Sequence, residues 1–354
     1  MATLDPSLDA VALTAALVDI ESVSGNEANI ADAIEFWLHD CAHLEVVRDG
    51  NAIVAKTNLS RTSRIVIAGH IDTVPVNGNL PSERRGDELW GRGTVDMKGG
   101  VAVLLWLARH LDAPVHDVTW IFYDLEEVEA SCNGLGRLAK SRPELLAGDF
   151  AILGEPSNAI IEGGCNGTLR VEVTTRGTRA HSARSWMGVN AIHGAHAILE
   201  RLASYQPETV HVDGLDYREG MNAVGIRGGI AGNVIPDECT VEVNYRFAPS
   251  KSEADALGVV QRLFSEFNLA VTDISGGARP GADSDLARSF IDAVGGRIAP
   301  KFGWTDVARF SELGIPAVNF GPGDPALAHA DNERVPVQNI LDCVESLRSW
   351  LGGH

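Results

Sequence analysis

Ile65-Val-Ile-Ala-Gly-His-Ile-Asp-Thr-Val-Pro75 decides how the chain is read. Its unbroken apolar run is that of a strand buried on both faces, and it ends in His70 with Asp72 two residues on. At that spacing both side chains leave an extended chain on one face. Asp72 can therefore accept the proton of the ring nitrogen that does not bind metal. Gly91-Arg-Gly-Thr-Val-Asp-Met-Lys-Gly-Gly100, Glu126-Glu127, Gly154-Glu155-Pro156 and His329 follow in order, each at the edge of an apolar segment where a buried sheet would present it. Together these read as a two-zinc hydrolase.

Outward from this stretch, the first half of the chain alternates helical and strand patterns. Residues 9–20 and 28–40 are amphipathic, 51–56 and 64–68 strand-like. Gly99-Gly100 leads into an apolar helix over 101–111, and 117–123 is the next buried strand. That is an α/β layered domain. From Gly167 the texture changes: 168–176 alternates apolar and polar residues, and a helix follows over 190–202. A strand pair (223–230 and 238–247) and a helix over 253–267 complete a β-α-β-β-α-β set ending near Thr272. Ser275-Gly-Gly-Ala-Arg-Pro-Gly281 is the expected hinge back to the first domain, which closes with a strand over 315–320 and a helix over 337–351. The resulting boundaries are a discontinuous catalytic domain, 1–164 with 276–354, and an inserted domain, 165–275.

The chain has 354 residues, long enough for two domains and a deep cleft. Its 29 basic and 48 acidic residues give a net charge of −19, which argues against nucleic acid or an anionic membrane as partner. An anionic substrate would need a local cluster of arginines to overcome that field. Five cysteines, odd in number and without a C-x-x-C pair, suggest neither a disulfide framework nor a thiolate zinc site, and a reducing cytoplasm fits best. The N-terminus lacks the basic and apolar regions of a secretory signal, and no stretch approaches the length of a membrane span, so a soluble, unprocessed protein is expected.

Zinc takes nitrogen and carboxylate ligands and keeps a position for water in catalytic sites, and two His with three carboxylates suffice for two ions sharing one bridge. Singly, each residue has a plainer reading: His70 as a core histidine, Asp96 as a helix N-cap, Glu155 as a turn carboxylate. Jointly they do not. Burying adjacent Glu126 and Glu127 at the end of an apolar strand would cost several kcal/mol per ion without cations to offset it.

The ordered set G-H-x-D, G-R-G-x-x-D-M-K-G-G, E-E, G-E-P and a late His resembles the dinuclear zinc aminoacylase/carboxypeptidase peptidase family, over essentially the whole chain. The resemblance implies a mixed-sheet α/β catalytic domain with an inserted α+β lid and dimerisation domain. Within the family, Asn51-Ala-Ile-Val-Ala55, residues 177–186, Phe302-Gly-Trp-Thr-Asp306 and Asn319-Phe-Gly-Pro-Gly-Asp324 are most similar to enzymes that hydrolyse N-succinyl-L,L-2,6-diaminopimelate. Residue by residue, it implies His70 and Glu155 on one Zn2+, Glu127 and His329 on the other, and Asp96 bridging, with Co2+ or Mn2+ able to substitute. Asp72 orients His70, Glu126 is general base and acid, and the Asp96–Met97 peptide is cis. Many relatives read D-E-E where this chain has Asp124-Leu125-Glu126-Glu127, a change that keeps both working carboxylates.

His181 alone reads as a surface-loop histidine, whereas the resemblance has it reach the partner's site in a homodimer formed through the lid and stabilise the oxyanion. Asn233 and Arg246 match positions that bind the anionic end of an acylated amino-acid substrate, although Arg246 also reads as a strand charge paired with a neighbouring carboxylate. Several relatives carry Arg before the glycine that opens the lid strand. Here Asn166 stands there, which makes Arg184 and Thr305 candidates for the acyl carboxylate. Three activities are distinguished: the desuccinylase, an acetylornithine deacetylase or general N-acyl-amino-acid amidohydrolase, and a non-catalytic metal-binding relative, whose signature would be loss of the base or of a ligand.

Overall fold

In the computed structural model, which describes residues 4–353, the chain divides into two compact units. The first comprises residues 1–164, 280–299 and 305–354, and the second 165–279 with 300–304.

The first unit is built on an eight-stranded mixed sheet in the order Glu45–Asp49, Ala52–Lys56, Asp117–Tyr123, Arg64–His70, Phe150–Leu153, Ala317–Asn319, Ile161–Gly163, Ile298–Pro300. Arg64–His70 runs parallel to both its neighbours, and Ala317–Asn319 runs parallel to Phe150–Leu153. The four central strands therefore end on the same edge. Ile65 to Ala68 and Val118 to Tyr123 are entirely buried, as runs without polar alternation require. The strand extends to His70, two residues beyond the expected end, so the histidine is itself the last paired residue.

Lys98–His110 begins three residues earlier than the apolar pattern predicts. Its glycines lie within the first turn because a Cβ on Gly100 would stand 2.0 Å from the Gly154 carbonyl oxygen, so only glycine lets this helix approach the end of Phe150–Leu153. Ala10–Val18, Lys98–His110 and Val337–Gly352 pack on one another and share one core with the sheet, through Leu13, Leu17, Val101, Leu105, Ile340 and Leu347.

The second unit is a four-stranded antiparallel sheet in the order Gly220–Gly228, Glu238–Phe247, Gly167–Arg176, Asn268–Ser275. Val241, Val243, Tyr245 and Phe247 turn inward against Ile198, Ala256 and Val260, while Glu242, Asn244 and Arg246 alternate outward. The helix expected over 190–202 is two, Ala191–Gly194 and His196–Ser204, interrupted at Ala195. A hairpin, Thr209–Val212 with Leu215–Arg218, is additional to the expected set. No helix among the described residues is long and apolar enough to cross a membrane, and all five cysteines are free thiols.

Candidate active site

Open parallel sheets present residues at the carboxyl ends of their strands, and the predicted metal residues of the first unit lie there. His70 closes its strand, Glu126 and Glu127 follow Asp117–Tyr123, and Glu155 follows Phe150–Leu153. Asp96 comes from the loop before Lys98–His110, where the Asp96–Met97 peptide is cis.

Asp96 is the centre of the arrangement. Its Oδ1 lies 3.0 Å from Nε2 of His70, and its Oδ2 lies 3.3 Å from Nε2 of His329. The same His329 nitrogen is 3.0 Å from the Glu127 carboxylate, and donor atoms of His70, Asp96 and Glu127 all lie within 4.8 Å of one another. One carboxylate thus turns an oxygen to each of two imidazoles. Glu155 is 5% exposed, and its charge acts on both Glu126 and Tyr123, raising their pKa values.

Electrostatics follow from the crowding. Burial pushes the His70 imidazolium down, but hydrogen bonds to Asp72 and Asp96 outweigh it and leave the pKa well above the ordinary value. His329 is pushed up to about 10 by its bonds to Asp96 and Glu127. Asp96 would be raised by burial, yet the two imidazoles hold it below the usual carboxylate range. Burial, with Asp306, Glu155 and Glu127 nearby, pushes the Glu126 carboxyl well up despite the opposing charge of His70.

Asp72 is fully buried, and its contacts differ from expectation in one respect. Nδ1 of His70 is 3.0 Å from the backbone carbonyl oxygen of Asp72, closer than the 3.4 Å to its carboxylate Oδ1. The carboxylate instead accepts the backbone N–H groups of Glu126 at 3.0 Å and Glu127 at 3.1 Å, along with the Ser24 hydroxyl at 2.7 Å. Leu125, just before this anchored pair, takes a left-handed φ of 60°.

Two further supports carry no local sequence signal. Asp306 is fully buried and accepts from the Tyr123 hydroxyl at 2.8 Å, Asn133 Nδ2 at 2.9 Å and Arg309 Nε at 2.5 Å, which fixes the strand end from which Glu126 and Glu127 depart. Glu333, four residues past His329, accepts the backbone N–H groups of Val95 and Asp96.

Five other candidates are placed separately. Thr305 is 3% exposed and gives its hydroxyl proton to Asn319 Oδ1 at 2.9 Å, inside the first unit, so its side chain serves the core. In the second unit, His181 and Arg184 are exposed on one loop, and the Asn233 carbonyl accepts the Ser182 N–H at 2.9 Å, which brings Asn233 beside them. Nδ1 of His181 accepts the Ala183 N–H at 3.0 Å, so the ring proton is carried by Nε2. Arg246 stands elsewhere, near the opposite end of Glu238–Phe247. It makes no ion pair among the described residues, and burial and the neighbouring Arg170 both lower its pKa.

The profile of peptidase family M20/M25/M40 matches residues 66–352. The chain belongs to that family. A Mycobacterium tuberculosis (strain H37Rv) protein assigned as a succinyl-diaminopimelate desuccinylase is 53% identical over 353 residues, covering 99% of this chain and 100% of that one. The succinyl-diaminopimelate desuccinylase of Corynebacterium glutamicum is 47% identical over 359 residues, covering 98% and 97%. An M20 family metallo-carboxypeptidase from Sulfolobus solfataricus has the same fold, with a TM-score of 0.78 at 16% identity and coverage of 98% and 99%. As an M20 member the chain is a metal-dependent hydrolase, and its donors fit that chemistry: imidazole nitrogens and carboxylate oxygens converge without a thiolate, a set suited to zinc and similar divalent ions.

Proposed function

We propose that the chain hydrolyses N-succinyl-L,L-2,6-diaminopimelate to succinate and L,L-2,6-diaminopimelate, a step of lysine and diaminopimelate synthesis, as a homodimer in the cytoplasm. The observation that carries the chemistry is Asp96 set between His70 and His329, with the Glu126–Glu127 pair fastened beside it by Asp72. The identities of 53% and 47% to desuccinylases over nearly the whole chain support the substrate.

In this reading His70 and Glu155 would hold one Zn2+, Glu127 and His329 the other, and Asp96 would serve both. Metal held there would supply Lewis-acid chemistry, polarising the scissile carbonyl and acidifying the attacking water. Glu126 takes the water's proton on its carboxylate and delivers it to the departing amine nitrogen. His181 donates from Nε2 to the developing oxyanion, the direction its Nδ1 acceptor bond leaves open.

Arg246 supplies a guanidinium without a carboxylate partner, beside a second guanidinium, which suits it to grip an anionic end. It lies eight residues along its strand from Glu238, roughly 27 Å at 3.4 Å per residue, from the end where His181, Arg184 and Asn233 gather. That span favours a composite site, in which Arg246 comes from one subunit and His181 and Asn233 from its partner. The edge strand Gly220–Gly228, with exposed Val224 and Ile226, offers apolar surface for that association.

The test is release of succinate by zinc-loaded protein. Glu126→Gln keeps the size and loses the proton acceptor, so turnover should fall about 10²- to 10⁴-fold with metal retained. Near-normal turnover would remove Glu126 from the mechanism.

A further inference from the structure

Behind the metal residues lies a buried ion pair that the reaction does not use. Glu333 is 1% exposed and Arg92 3% exposed, and Arg92 Nη1 donates to Glu333 Oε2 at 2.9 Å. The other oxygen, Oε1, accepts the N–H of Val95 at 2.9 Å and of Asp96 at 3.1 Å. Arg92 Nη1 and the Glu333 N–H both donate to the Ala330 carbonyl, at 3.3 and 3.2 Å, and the Gly91 N–H donates to the Glu333 carbonyl at 3.1 Å.

These bonds join two segments distant in sequence: 91–96, which ends in Asp96, and 329–333, which begins with His329. His329 has a φ of 64°, a left-handed conformation that a non-glycine residue keeps only where its surroundings over-determine it. The staple lies one residue from it, at Ala330.

A buried ion pair is poor evidence for stability, since well-packed apolar residues of similar volume often serve as well. Its geometry indicates another use. A carboxylate oxygen that receives two successive N–H groups fixes the backbone at Val95 and Asp96, and so aims the Asp96 side chain, whose oxygens must each meet a different imidazole. We infer that Glu333, held by Arg92, is a positioning residue that sets Asp96 between His70 and His329 and thereby governs how tightly metal is retained. This rests on the proposed sharing of Asp96 by two ions.

The experiment is competitive zinc titration, against a chelator of known affinity, of the full chain stripped of metal. Wild type, Glu333→Ala, Glu333→Gln, Arg92→Met and Asp96→Ala are compared, with unfolding temperatures of the metal-free forms and absorption spectra of the Co2+-loaded forms. Loss of an outer partner of this kind weakens metal binding about 10- to 100-fold, which is expected for Glu333→Ala with a changed Co2+ spectrum. Glu333→Gln keeps an oxygen for the two N–H groups and should lose less. Arg92→Met, which leaves the carboxylate unpaired, should also weaken binding.

Zinc affinity within twofold of wild type in Glu333→Ala, with an unchanged Co2+ spectrum, would overturn the inference whatever the unfolding temperature, because the pair would then serve only the fold. Should Glu333→Ala not fold, wild-type affinity in both Glu333→Gln and Arg92→Met would overturn it equally. Unaltered metal binding by Asp96→Ala would instead overturn the sharing of Asp96, and this inference with it.

Discussion

Oδ1 of Asp72 accepts the backbone N–H of Glu126 at 3.0 Å, so the residue two positions past His70 also fixes the loop of the proposed base. Its other oxygen takes the Glu127 N–H at 3.1 Å. In the proposed two-ion site Asp72 therefore couples a residue of one ion with the loop that serves the other. Asp72→Ala removes both acceptors and leaves buried N–H groups unpaired. Metal affinity and turnover should each fall about 10- to 100-fold, read by zinc titration and steady-state rates. Loss of stability with zinc affinity intact would confine Asp72 to the fold.

His329 contacts Glu127 and Asp96, and no bond joins it to His70. If two ions bind as proposed, His329→Ala should release the one held with Glu127 and spare the one at His70, taking zinc from about two per chain towards one. Elemental analysis after gel filtration reads the ratio directly. An unchanged ratio would show that His329 is not a ligand.

Mixing His181→Ala chains with Glu126→Gln chains tests the proposal that His181 acts in the site of a second subunit. Each variant alone should be nearly inactive, about 10²-fold or more down for the base. Subunit exchange should restore one intact composite site per heterodimer. No recovery, with heterodimers confirmed by native mass spectrometry, would place His181 in its own chain's site or outside catalysis.

Asp117 opens the strand that leads to the base, and it carries a pH-dependent share of stability. Burial alone would raise its pKa, but hydrogen bonds from the Leu59 and Arg61 N–H groups and the Thr57 hydroxyl, with Arg64 nearby, hold it below the usual value. A folded-state pKa below the unfolded value of about 3.9 gives stability that is present above that pH and lost as pH falls through the folded pKa. Asp117→Asn should cost about 1.5 to 3 kcal/mol at neutral pH, with a deficit that shrinks as pH falls through the folded-state pKa, measured by urea unfolding. A deficit independent of pH would locate the effect in packing.

Legibility from sequence followed how local each cause is. Asp117–Tyr123 shows the bounds its apolar run predicts, because burial on both faces demands it. The hairpin after Thr209 turns on Asp213-Gly214, whose φ values of 46° and 90° are those this dipeptide favours, yet its strands are short and only partly apolar. Arg92 and Glu333 lie 241 residues apart, and Tyr123 and Asp306 lie 183 apart, so no periodicity links them. Thr305 illustrates the converse: beside a motif residue it reads as a pocket donor, while the buried Asn319 amide takes its proton. Of the proposed metal residues, His70, Asp96, Glu127 and Glu155 stand out because each closes or follows an apolar strand or flanks a glycine turn, whereas His329 follows a short turn and carries neither mark; their supports are ordinary polar residues that acquire meaning only once the loops meet.

Hydrolysis of a succinylated substrate is the proposed activity, and the net charge of −19 makes it demanding. Efficient use of such an anion requires a guanidinium paired with a carboxylate, the role proposed for Arg246, and a site built to pair a charged group rejects analogues that leave it unpaired. Steady-state kcat/KM of the zinc-loaded protein on N-succinyl-L,L-2,6-diaminopimelate and on acetylornithine is the direct measurement. The expected result is a preference of at least about a hundredfold for the succinyl substrate. Equal efficiency on the acetyl substrate would contradict the desuccinylase assignment.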